Sequence, residues 1–94
     1  MAYLYILESI STRRFYIGST VHPERRLSEH ERGQTPSTRG RGPWRLVYLE
    51  ELRTLHAARR RERELKGWKS HTAVARLIAT RGTAPPVVPG HPPK

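Results

Sequence analysis

Three groups of side chains in this 94-residue chain could do chemistry, and each also has an ordinary structural reading. Tyr5 and Tyr16 sit in two short aromatic and β-branched runs, Tyr3-Leu4-Tyr5-Ile6-Leu7 and Arg14-Phe15-Tyr16-Ile17-Gly18. Phenols brought together can orient or accept a proton, although a cross-strand tyrosine pair more often only packs. Arg26 and His30 are one helical turn apart. They read as a forked cation beside a proton carrier, or as two members of a solvated basic face. The third group is a carboxylate. Leu55, Ala58, Glu62 and Leu65 form one stripe of a helix, so Glu62 faces inward while Glu64 falls near the opposite side. An inward carboxylate must be paired, hydrogen-bonded or bound to a cation. Composition alone favours an internal ion pair with an arginine over a metal ligand.

Fifteen arginines and three lysines against eight glutamates give a formal charge of +10 and a pI near 11.3, the electrostatic footprint of a polyanion binder. Nucleic acid is the first partner this implies. With no cysteine in the chain, disulfide scaffolds, zinc knuckles and thiol nucleophiles are excluded. Aspartate and asparagine are absent too, so a hard-metal site must be built from glutamate, completed by carbonyls, waters or a substrate phosphate. The longest uncharged apolar run, Tyr3 to Leu7, is far short of the roughly 20 residues of a membrane span, and no basic signal sequence precedes it. The expectation is a soluble, cytoplasmic protein, nucleoid-associated if bacterial.

The elements that position these groups can be read from pattern. The two aromatic runs predict a β-hairpin. With a loop over residues 9–12, Glu8 faces Arg13, Tyr5 faces Tyr16, Leu4 faces Ile17 and Ile6 faces Phe15. One face is then wholly apolar and the two phenols share the other. Pro23 suits the first turn of a helix running to about Arg32 and closed by Gly33, with Thr20 or His22 in the cap region. On that helix Arg26, Leu27 and His30 lie together and Arg25 points away. Residues 33–43 read as a basic loop, Trp44 to Leu49 as a third strand, Thr54 to Gly67 as the helix carrying Glu62, and His71 to Ala79 as a last helix packing Val74, Leu77 and Ile78. The domain is expected over residues 1–80, with 81–94 a disordered Pro/Gly-rich tail. Both helices bearing Arg26 and Glu62 are expected over the apolar face, which would set them opposite the phenols.

In order and spacing, Tyr3-Leu4-Tyr5, Tyr16-Ile17-Gly18, Arg26-x-x-x-His30 and Glu62-x-x-Leu65 resemble the GIY-YIG nuclease superfamily. The resemblance covers about residues 2–69. It looks closest to the small stand-alone bacterial members, for which Thr38-Arg39-Gly40-Arg41-Gly42-Pro43-Trp44 and Glu62-Arg63-Glu64-Leu65-Lys66 are typical in form. Tyr3 and Leu4 stand where the family name has glycine and isoleucine, and Ser19 where the nucleotide-excision-repair members carry a lysine.

The resemblance implies an α+β fold, a three-stranded antiparallel sheet flanked by helices, and a single-metal endonuclease that hydrolyses phosphodiesters. Glu62 matches the metal-binding glutamate, with Mg²⁺ or Mn²⁺ as cofactor, and Arg26 the catalytic arginine. Tyr16 and Tyr5 match the motif tyrosines, and His30 the helix histidine. Tyr16 would be the general base, Tyr5 would orient the water or Tyr16, and His30 would orient the phosphate or carry a proton. The substrate would be DNA in preference to RNA, in repair or recombination, with a protein partner able to supply specificity. Arg39, Arg41, Arg45, Arg59, Arg60, Arg63, Lys66 and Lys69 would hold the backbone, giving a steep salt dependence. His56, His71 and His91 read as surface residues, with His22 near the site. The alternative is a non-catalytic basic nucleic-acid-binding module or adaptor.

Overall fold

The computed structural model describes residues 1–31 and 43–80. Two strands, β1 (Ala2–Ser9) and β2 (Phe15–Thr20), form a hairpin, and β3 (Trp44–Leu52) pairs with the other edge of β1. The sheet is antiparallel in the order β2-β1-β3. The helices are α1 (Pro23–Glu31), α2 (Leu55–Gly67) and α3 (His71–Ala79). The expected α+β class therefore holds, and β3 runs three residues beyond its expected end at Leu49. Arg39, Arg41, Gly33, His91 and the tail all lie outside the described residues.

Hairpin pairing is offset by two residues from the expected register: Tyr5 faces Gly18, Ile6 faces Ile17 and Leu7 faces Tyr16. The loop is the cause. Ser9 ends the strand instead of entering the turn, its N–H donating to the Arg14 carbonyl at 2.9 Å. The Ser9 carbonyl accepts from Arg13 N–H at 2.8 Å, and its hydroxyl accepts from Thr12 N–H at 3.1 Å. Arg13 closes this turn at a φ of 62°, in the left-handed region that turn residues occupy. Because the offset is even, every side chain keeps its face. Tyr5 and Tyr16 still share one, as diagonal neighbours.

Helices cover both faces of the sheet, which corrects the expectation of a single covered side. Leu4, Ile6, Ile17 and Tyr48 pack against Leu65 of α2 and Val74 of α3. On the other face Tyr5, Leu7, Trp44 and Leu49 pack against Leu27 of α1. β1 is the shared layer, with Leu4, Ile6 and Leu7 fully buried, each stabilising the fold by about 1.5–3 kcal/mol.

A β-bulge in β3 completes the second face. Ile6 pairs with Tyr48 but the next residue, Leu7, pairs with Leu46, so Val47 is the extra residue. Without it, strict alternation would place Trp44 and Leu46 beside Tyr48. With it, both join Tyr5 and Tyr16. The helix starts are conventional. The Thr54 hydroxyl accepts from Ala57 N–H and the Ser70 hydroxyl from Ala73 N–H, each at 3.1 Å.

Candidate active site

Gly18 is where the site begins. A methyl group on its Cα would lie 2.4 Å from the Tyr5 hydroxyl oxygen and 2.5 Å from Cζ. Tyr5 thus lays its ring across the one position of β2 with no side chain. That close approach, and no unusual backbone angle, is what glycine provides here. Buried in this way, the Tyr5 hydroxyl shares a hydrogen bond with His30 Nε2 at 3.1 Å. Tyr16 packs beside both, its ring centroid 6.3 Å from that of Tyr5 and 4.8 Å from that of His30. Trp44 meets Tyr16 edge-on at 6.3 Å.

Burial sets the protonation of this cluster. It pushes the Tyr5 phenol up to about 12, with the neighbouring Arg26 guanidinium opposing and Tyr16 and Glu62 adding to the rise. Burial also pulls His30 down to about 4, and the positive charge of Arg26 acts in the same direction. At neutral pH Tyr5 is therefore a protonated phenol and His30 a neutral imidazole. Arg26 is held by the Glu29 carboxylate at 3.0 Å and leaves the guanidinium a little over one-third exposed.

Glu62 reaches the same edge from the other side of the sheet. Its Oε1 accepts from the Ser19 hydroxyl at 2.6 Å, and its Oε2 from the Lys66 ammonium at 2.6 Å. Ser19 is the residue after Gly18, so one step of β2 separates the groove holding Tyr5 from the hydroxyl holding Glu62. This is how phenols and carboxylate on opposite faces become neighbours: they converge at the β2 edge. The compensating cation is Lys66, one turn further along α2, and not the arginine that composition suggested. Lys66 also brings a positive charge to the carboxylate beside Ser19.

The donor set suits one hard cation that keeps its waters. Among the described residues no three His, Cys, Asp or Glu side chains are grouped to cage a metal, but Mg²⁺ needs only one or two carboxylates. Glu62 keeps a fixed orientation through Ser19. The half-exposed Lys66 ammonium can leave Oε2 to a cation.

Tyr5, Tyr16, Arg26, His30 and Glu62 are thus brought to one sheet edge. Of the expected backbone contacts, Arg59 and Lys66 flank Glu62 one turn to either side, and Lys69 follows the end of α2. Arg60 and Arg63 line a separate groove with Arg61 and Glu64. Arg45 is paired with Glu8 across the strands at 2.8 Å. His71, read as an ordinary surface residue, stacks on Phe15 with centroids 4.4 Å apart and donates from Nε2 to the Arg13 carbonyl at 3.0 Å. The exposed His22 lies 3.8 Å from Glu24. Sequence reasoning missed Trp44 and Ser19 as site residues. The uninterrupted apolar run Leu46-Val47-Tyr48-Leu49 breaks strand alternation and was the available sign of the bulge that turns Trp44 to Tyr16.

A model of the GIY-YIG catalytic domain matches residues 1–74. A UPF0213 protein of Natronomonas pharaonis is 40% identical over 78 residues, 82% of this chain and 89% of that protein. A UPF0213 protein of Syntrophus aciditrophicus is 41% identical over 66 residues, 68% of this chain and 75% of that one. A structure-specific endonuclease subunit, slx1, of Xenopus laevis is 48% identical over 40 residues, 38% of this chain and 14% of that subunit. The solution NMR structure of a UPF0213 protein from Bacillus halodurans superposes with a TM-score of 0.56 at 36% identity, covering 87% of each chain. No helix among the described residues is long and apolar enough to cross a membrane.

Proposed function

The chain belongs to the GIY-YIG family, and from that premise we propose that it is a divalent-metal-dependent endonuclease that hydrolyses phosphodiesters in DNA. The observation that carries this reading is the convergence at the β2 edge. Ser19 holds Glu62 at 2.6 Å, while the adjacent Gly18 admits Tyr5, behind which Tyr16, His30 and Arg26 are gathered. A purely binding module needs the basic surface but not this placement of acid, guanidinium and phenols. The relation to a structure-specific endonuclease subunit supports a role on repair or recombination intermediates.

Glu62 would hold Mg²⁺ or Mn²⁺, which when bound supplies positive charge at the phosphate as negative charge builds up there. Arg26 would grip the non-bridging oxygens with its forked donors, acting on the same developing charge. Tyr16 would take the proton from the attacking water. Burial holds Tyr5 protonated. Its hydroxyl, fixed on His30 Nε2, orients Tyr16 and the water instead. His30, neutral and only 2% exposed, is a positioning residue and not a cationic clamp on phosphate.

The test is nicking of supercoiled plasmid, together with cleavage of duplex, branched and single-stranded oligonucleotides, with Mg²⁺ or EDTA and with Glu62→Gln. The expected result is cleavage by the parent that EDTA and Glu62→Gln abolish. Binding of all these substrates without cleavage of any would replace this reading with that of a nucleic-acid-binding module.

A further inference from the structure

A groove of about 330 Å³ runs between β2 and the turn that joins α2 to α3. Among the described residues, every charged side chain lining it is basic. Arg14 comes from the hairpin, Lys66 from the end of α2, Lys69 from the turn after it and His71 from the start of α3; no carboxylate is among the described lining residues. The stack of His71 on Phe15 and its bond to the Arg13 carbonyl fix one wall. Lys69 sits at a φ of 49° where the chain turns between the helices, and its side chain is exposed.

The groove is continuous with the candidate site. Lys66 both lines it and contacts Glu62 Oε2. From Glu62 to the end of α2 at Gly67 the helix rises roughly 7.5 Å, and Lys69 follows two residues beyond, where the chain turns. A row of cations without an acid, ending at the carboxylate that would face the reacting phosphate, matches a charged backbone laid lengthwise better than a single small anion.

Resting on the endonuclease reading, we infer that this groove carries the strand flanking the phosphodiester under attack, with Arg14 and Lys69 each holding a backbone phosphate. Neither Arg14 nor His71 belongs to the backbone contacts expected from sequence. Each phosphate contact on duplex DNA contributes about 0.9 to the slope of log affinity against log salt concentration. Losing one contact therefore shrinks the affinity lost between 50 and 200 mM salt by about threefold.

The experiment measures anisotropy of a fluorescein-labelled duplex of about 20 base pairs in EDTA, titrated with the full chain from about 50 to 300 mM salt. Arg14→Gln and Lys69→Gln change exposed side chains, and circular dichroism confirms that each variant is folded. Each should lower the salt slope by about 0.9, and the double variant by about 1.8, with weaker binding at low salt. Arg76→Gln lies outside the groove and should leave the slope at the parent value. Parent slopes in both groove variants, or an equal fall in Arg76→Gln, would overturn the groove assignment while leaving the nuclease reading intact. If the parent fails to bind any DNA at low salt, the nucleic-acid reading falls with it.

Discussion

Adding one methyl group at Gly18 tests the geometry of the site directly. In Gly18→Ala the new Cβ would lie 2.4 Å from the Tyr5 hydroxyl oxygen, 2.5 Å from Cζ and 3.0 Å from Cε1. Carbon atoms pack best at about 3.5–4.0 Å, so the ring must move by an ångström or more. The ring cannot bend and is 4% exposed, so moving it strains the second face of the core, typically at about 1–3 kcal/mol. It also breaks the bond to buried His30, adding about 1 kcal/mol or more. The expected loss is therefore about 2–4 kcal/mol, a large share of the roughly 5–10 kcal/mol available to a domain of this size. Urea unfolding of the parent, Gly18→Ala, Tyr5→Leu and the double variant reads this as a double-mutant cycle. Leucine removes the atoms that clash, so in its background Gly18→Ala should cost less than about 1 kcal/mol, a favourable coupling of at least 1 kcal/mol. An equal cost in both backgrounds would show that glycine serves something other than the tyrosine ring.

Three further outcomes follow from the same contacts. His30 titrates near 4 in the folded chain and near 6.5 unfolded. The unfolded chain thus takes up its proton first, and stability is full above about pH 6.5 and falls by up to about 3 kcal/mol towards pH 4. His30→Gln should flatten that part of the profile, and NMR titration should find the imidazole still neutral at pH 5. Lys66→Gln frees Oε2 of Glu62, and because an exposed i,i+4 pair is worth about 0.3–0.5 kcal/mol, calorimetry should find Mg²⁺ binding about twofold tighter. His71→Ala removes the stack on Phe15 and the bond to Arg13, which should cost about 1–2 kcal/mol and speed amide exchange in the hairpin loop.

What could be read from sequence was decided by local pattern. The three-four-three spacing of Leu55, Ala58, Glu62 and Leu65 placed Glu62 on the inward stripe and Glu64 outward, and in the structure Glu62 is 22% exposed, at the rim of that stripe, against 53% for Glu64. Tyr5 and Tyr16 share a face because strand alternation survives an even offset, even though the loop assignment was wrong. The turn chemistry around Ser9 decides that register, and it depends on a hydroxyl contact that residue types alone do not single out. Which face each helix covers is a tertiary choice. Nothing in Pro23–Glu31 distinguishes the phenol side of the sheet from the other, so the meeting of Glu62 with the phenols at the β2 edge could not be derived. The same holds for Lys66 in place of an arginine, since both lie within reach on a helix this basic.

The most direct test is single-turnover cleavage of a labelled DNA substrate with Mg²⁺ by the parent, Glu62→Gln, Arg26→Ala, Tyr16→Phe and the Glu62→Gln/Arg26→Ala pair. If all three groups act on one phosphodiester, each single change slows cleavage by about a hundredfold or more, and the pair loses less than the product of its members. Cleavage by Glu62→Gln at the parental rate would contradict a metal-anchoring role for this carboxylate and with it a common site at the β2 edge.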